Sequence, residues 1–225
     1  MKIDIRYKPS YSLAFIRLDG REEVRVESGS MVSMTEGVDI ETDATGGFLS
    51  SISRKMFGGE SFFQNTFQAP SGGGEITVAP PLPGDLLDLS LNGPLMVQSG
   101  SYVASEIGVD LDTEWSGAKT FFASEGLIML RTTGTGQLLL SSYGAIHDME
   151  LKAGQQHTID SGHLVAFTDG MDFEVRKVGG IKSTLFSGEG LVVDLTGPGR
   201  VLLQSRSTDQ FLAWLIPQIP MPDSD

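Results

Sequence analysis

Polar and apolar residues alternate along most of this chain, in short bursts that glycines interrupt. The opening segment "MKIDIRYKPSYSLAFIRLDG" has the period of two expected of a β-strand. The same period runs through "VRVESG" and "HTIDSG", each of which ends on a Ser-Gly step that reads as a tight turn with glycine at positive φ. It returns around Asp39, Asp110 and Asp172, which are flanked by Val38/Ile40, Val109/Leu111 and Met171/Phe173. Each of these stretches predicts a strand with one apolar and one acidic face. Period-3.6 patterning is scarce. One exception is the tail "STDQFLAWLIPQIPMPDSD" (207–225), where a Ser/Thr/Asp cap opens a short apolar helix that Pro217 and Pro220 end.

The bursts repeat. "SGSMVSMTEGVDIE" (28–41) returns as "SGSYVASEIGVDLD" (99–112) and as "SGHLVAFTDGMDFE" (161–174), with the second glycine of each phrase at Gly37, Gly108 and Gly170. After each phrase come a Phe and a Glu three apart, at Phe57/Glu60, Phe122/Glu125 and Phe186/Glu189, and then a β-rich run. In two repeats that run passes through a glycine turn, "GTGQLLLSS" and "GPGRVLLQS". The expected organisation is repeat 1 over 1–73, repeat 2 over 74–136, repeat 3 over 137–205 and a helix and tail over 206–225. Units this short bury too little surface alone, so they are expected to stack into one cooperative body around a pseudo-threefold axis. The segment 46–57 stands outside the pattern as an insertion in the first repeat.

Composition agrees with an all-β fold. There are 28 glycines and 10 prolines, which favour turns over long helices. Net charge is −13, a field that repels phosphate backbones and sets nucleic acid aside as a partner. The absence of cysteine rules out disulfides and thiolate metal sites. The first residues lack the apolar core of a signal peptide, and no run approaches the roughly 18 apolar residues of a spanning helix. The expectation is a soluble, cytoplasmic protein.

Candidate chemistry is thin. Asp39, Glu41, Asp110, Asp112, Asp172 and Glu174 recur as a triplicated acidic surface for a cation or basic partner, although alternation alone predicts such a solvated strand face. Glu60, Glu125 and Glu189 would suit either a turn or oxygen ligation. His147, His157 and His163 gather in or near the third repeat, and His157 with His163 is the weak case for a metal; their spacing fits no compact ligand motif. The glycine runs are read as hairpin turns, since strands follow them and no phosphate-binding lysine does. In the insertion, Phe48, Leu49, Ile52 and Met56 would share a helix face beside Arg54 and Lys55. That patch is a candidate membrane or partner surface. Phe211, Leu212, Trp214, Leu215 and Ile216 of the tail pose the same choice.

"SGHLVAFTDGMDFEV", the Gly-Glu step before a strand, "GGESFFQNTF" and the closing "GPGRVLLQSRS" together resemble the altered-inheritance-of-mitochondria family. The resemblance runs from "AFIRLDG" to "LLQSRS". It implies a fold similar to the tryptophan RNA-binding attenuation protein, with three small β-sandwich units per chain, and it carries over no catalytic residue, cofactor or small molecule. RNA binding does not follow from it, because fold is not function. The expectation is a non-catalytic scaffold or binding module that works through a protein partner or self-association. The alternatives are a small-molecule or metal-dependent enzyme and a peripheral membrane protein.

Overall fold

The computed structural model describes residues 1–41, 56–57, 60–61, 64–112, 127–177 and 191–220, with the backbone alone at 56–57 and 60–61. The first unit holds β1 (Lys2–Arg6), β2 (Leu13–Leu18), β3 (Glu23–Glu27), β4 (Met31–Met34), β5 (Asp39–Glu41), the two-residue pair β6 (Met56–Phe57) and β7 (Glu60–Ser61), β8 (Gln64–Gln68) and β9 (Gly74–Val78). The second unit holds β10 (Leu86–Leu91), β11 (Leu95–Gln98), β12 (Tyr102–Glu106), β13 (Val109–Asp112), β14 (Met129–Gly134) and β15 (Gly136–Ser141). The third holds β16 (Ile146–Leu151), β17 (Gln156–Asp160), β18 (Leu164–Thr168), β19 (Asp172–Lys177), β20 (Leu191–Thr196) and β21 (Gly199–Gln204). Helix α1 (Thr208–Leu215) follows, N-capped by Ser207 and run out through a 3₁₀ turn containing Pro217. Among the described residues the protein is all-β with one short α-helix, at the C-terminal end.

Each unit is a sandwich of two antiparallel sheets. In the second, β10-β15-β12 faces β13-β14-β11; in the third, β16-β21-β18 faces β17-β20-β19. The first has β2-β9-β4 and β3-β8-β5, with β1 added beside β2. These pairings move the expected boundaries. β9 pairs back onto β2 and β4, and β15 onto β10 and β12, so the strands group as 1–78, 86–141 and 146–204. The glycine runs also differ from the hairpin expectation. β14 and β15 belong to opposite sheets, as do β20 and β21, so "GTGQ" and "GPGR" are corners between sheets. A corner and a hairpin need the same left-handed glycines; Gly134 sits at φ +85°, where a Cβ would come 2.2 Å from the Gly108 carbonyl oxygen.

The Ser-Gly steps are not uniform either. Gly29 has the expected positive φ of 90°. Ser99–Ser101 and Ser161–His163 instead form single 3₁₀ turns that keep φ negative. Gly162 is required by space rather than by torsion, because a Cβ there would lie 2.5 Å from the Ser207 hydroxyl oxygen at the start of α1.

Sheets continue from unit to unit. β3 of the first pairs with β12 of the second, and β11 of the second pairs with β18 of the third. Apolar cores cross the same junctions. The core around Ile16, Val26, Phe67 and Ile76 takes in Val103, Ala104 and Leu139 from the second unit. The core around Val97, Leu130 and Leu138 takes in Val165, Ala166 and Leu202 from the third. No unit closes its core alone, as their size requires. Among the described residues no helix is long and apolar enough to cross a membrane.

Candidate functional site

The residue before each Ser-Gly step ends the strand that leads into it: Glu27, Gln98 and Asp160. All three use a side-chain oxygen on the turn that follows. Glu27 Oε2 accepts from the Ser30 hydroxyl at 3.2 Å, and Gln98 Oε1 accepts from the Ser101 hydroxyl at 3.2 Å. Asp160 Oδ1 accepts from the Gly162 amide at 2.8 Å. The Asp160 contact is the side-chain-to-backbone bond common at turns, the other two run between side chains, and in every repeat the acceptor stands one step upstream.

The second and third turns, and the strand end that leads into the first, meet at one open groove of about 620 Å³, lined by Glu27 from the first unit, Gln98 and Gly100 from the second, and Ser161 and Gly162 from the third. Thr208, Asp209 and Leu212 of α1 close one side, and Pro80–Leu82 with Tyr143 another. The helix is held there from the third unit. Gln204 donates through Nε2 to the Gly162 carbonyl at 2.8 Å and accepts from the Tyr143 amide at 2.8 Å, while the Phe211 ring sits edge-on to Tyr143 with centroids 6.0 Å apart.

The groove is polar and acidic. Its charged lining side chains are Glu27 and Asp209. Burial pushes the Glu27 carboxyl up to about 7, with the Ser30 hydroxyl pulling weakly the other way, so Glu27 changes charge near neutral pH. Ser141, Ser142, Ser161, Thr208, Gln98 and Gln204 supply further polar lining, hydroxyls and amides that both donate and accept hydrogen bonds.

The residues anticipated from sequence lie elsewhere. Asp39, Glu41, Asp110, Asp112, Asp172 and Glu174 are all exposed, and the apolar alternates Val38, Val109, Leu111, Met171 and Val175 are buried. His147 is exposed on β16 and His157 on β17, whereas His163 sits at the third turn with Nδ1 2.8 Å from the Gln204 carbonyl. Among the described residues no group of three or more His, Asp or Glu is placed to hold a metal ion. Phe48, Leu49, Ile52, Arg54 and Lys55 fall outside the described residues, as do Phe122, Glu125, Phe186 and Glu189. Met56, expected on a helix face, is in β6, paired with Ser61 of β7, and Phe57 is paired with Glu60. In α1 and the turn after it, Leu212, Trp214 and Ile216 are exposed while Phe211 and Leu215 are partly covered. Glu27, Gln98 and Asp160 were visible in the sequence only as an acceptor recurring before each Ser-Gly.

The model of the family described as mitochondrial biogenesis AIM24 matches residues 3–206. An uncharacterized protein of Streptococcus pyogenes serotype M6 is 29% identical over 229 residues, covering 98% of this chain and 92% of its own. A crystal structure of a Streptococcus pyogenes protein, determined as a structural-genomics target, superposes with a TM-score of 0.79 at 28% identity, covering 97% of this chain and 99% of that one.

Proposed function

The chain belongs to the mitochondrial biogenesis AIM24 family, and we propose that it works as a non-catalytic scaffold or binding module acting through protein–protein assembly. One observation supports this reading above others: residues from the equivalent Ser-Gly regions of all three repeats (Glu27, Gln98 with Gly100, and Ser161 with Gly162) line a single groove, so the surface is a product of the whole chain. Its two carboxylates, with hydroxyls and amides around them, suit a polypeptide segment that presents backbone polar groups or a basic side chain. Protonation of Glu27 near neutral pH would weaken the hold on a basic segment.

The test is affinity capture from native lysate with the intact protein and with Gly100→Arg. Gly100 is exposed in the groove, its φ is ordinary, and a Cβ there meets only the Gln98 side chain, at 3.4 Å, so the variant should fold. Loss of a reproducible partner set from the variant, with an unchanged circular dichroism spectrum, is the expected result. Turnover of a substrate by the purified protein, abolished by the same substitution, would replace the scaffold reading with an enzymatic one.

A further inference from the structure

The two junctions inside the chain share one register. β12 on β3 aligns Ala104 with Val26, Ser105 with Arg25 and Glu106 with Val24. β18 on β11 aligns Ala166 with Val97, Phe167 with Met96 and Thr168 with Leu95. By the repeat, Ala104 corresponds to Ala166 and Val26 to Val97, so the two sets coincide pair for pair. β12 and β18 also carry the same irregularity on their other side, between Tyr102 and Ala104 and between Leu164 and Ala166.

β4 is the first unit's version of β12 and β18, with the same irregularity between Met31 and Ser33. β17 is the third unit's version of β3 and β11. Among the described residues, both are sheet edges: β4 pairs only with β9, and β17 only with β20. The difference is plain at one position. Val103 and Val165, at the two internal junctions, are 0% exposed, and their counterpart Val32 is 56% exposed. Met31 and Met34 are exposed as well, where Tyr102, Leu164, Ser105 and Phe167 are buried. "MVSM" contains no charge and no proline in a chain of net charge −13, two of the devices that commonly guard solitary edge strands; its irregularity at Met31/Ser33 is one that the paired strands β12 and β18 share.

We infer that β4 of one copy pairs with β17 of a second copy of this chain, repeating the internal junction between molecules. Repetition of the register sets Ser33 opposite Ile159, Met34 opposite Thr158 and Thr35 opposite His157 of the neighbouring copy. Val32 then enters the core of that copy's third unit, as Val103 enters the first and Val165 the second. The contact joins unlike surfaces head to tail, so each added copy carries one fresh edge of each kind until a ring closes. The inference goes beyond the groove reading and stands without it, since Val32 and Met34 are not in the groove.

The experiment is light-scattering mass determination on the purified full chain, alongside Val32→Asp. The expected result is a discrete oligomer for the native chain and a monomer for Val32→Asp, with matching circular dichroism because Val32 is exposed in the single chain. A native monomer, or an oligomer untouched by Val32→Asp, overturns the inference. The register is read separately. Because the chain lacks cysteine, Met34→Cys with Thr158→Cys should give disulfide-linked multimers on oxidation, and Met34→Cys with Gln156→Cys should not. A fast-migrating internally linked monomer from the first pair would show the chain closing on itself and would also overturn the inference.

Discussion

The two internal junctions have the same backbone and different chemistry. At the first, the buried Tyr102 hydroxyl lies 2.9 Å from Ser105 Oγ and accepts from Gln64 Nε2 at 2.6 Å, while Arg25 Nη1 donates to the Val109 carbonyl at 2.9 Å. At the second, the same positions hold Leu164, Phe167 and Met96, all within one apolar core. Strand register and the cross-strand irregularity are common to both. Pairing geometry is therefore set by backbone and by the shared Val-Ala step, and the side chains facing the partner are free to be polar or apolar provided each is satisfied.

The two junctions differ most in energy at the apolar one. Phe167 is buried against Met96 and stacks at a tilt on Phe173, with centroids 5.6 Å apart. Phe167→Ala should destabilise the protein by about 3–5 kcal/mol through lost transfer energy and a residual cavity. Urea denaturation at fixed protein concentration measures it as a lowered midpoint at unchanged slope. Placing serine there, as in Ser105 of the first junction, should be no better, because the hydroxyl would lack its Tyr102 partner.

A second contrast is one of charge. Glu27 and Gln98 occupy the same place beside the two junctions, one ionisable and one not. Burial raises the Glu27 carboxyl to about 7 from an ordinary 4.5. Between those values the folded state holds a proton that the unfolded chain has released, so the contribution of Glu27 to stability is fully present below pH 4.5 and is lost as pH rises through 7. Glu27→Gln should remove this dependence, leaving the variant about 1–3 kcal/mol more stable relative to the native chain at pH 8 than at pH 5. Paired urea titrations at the two pH values read the difference, and an unchanged pH profile would mean that Glu27 is solvated in the folded protein.

Much of this architecture could be read from the sequence because alternation reports local geometry directly. Asp110 and Asp112 face solvent and Val109 and Leu111 the core, as period two requires. Ser207 caps α1 as its position before "TDQFL" suggests. What local pattern does not encode is the partner. "GTGQ" looks alike whether the next strand returns to its own sheet or crosses to the other, and only packing decides. The alignment of Val26 with Ala104 joins residues from different repeats, which periodicity within either repeat does not specify. The groove was hidden for the same reason. Glu27 is raised by its surroundings in the folded chain, and those come from segments far along the sequence.

The finest test of the comparison gives the first junction the residue of the second. Arg25→Met replaces a nearly buried guanidinium with the side chain that Met96 places at the equivalent point. The loss is a charge-assisted hydrogen bond to the Val109 carbonyl, of about 1.5–3 kcal/mol. Against it stands relief from burying a positive charge, of similar size, and an unbranched apolar chain that fills the space of the arginine stem. The two should nearly cancel, leaving the urea midpoint within about 1 kcal/mol of the native chain. Such a result would make the junctions interchangeable units of one design. A loss well beyond it would tie the first junction to its own polar contacts and confine the equivalence to the backbone.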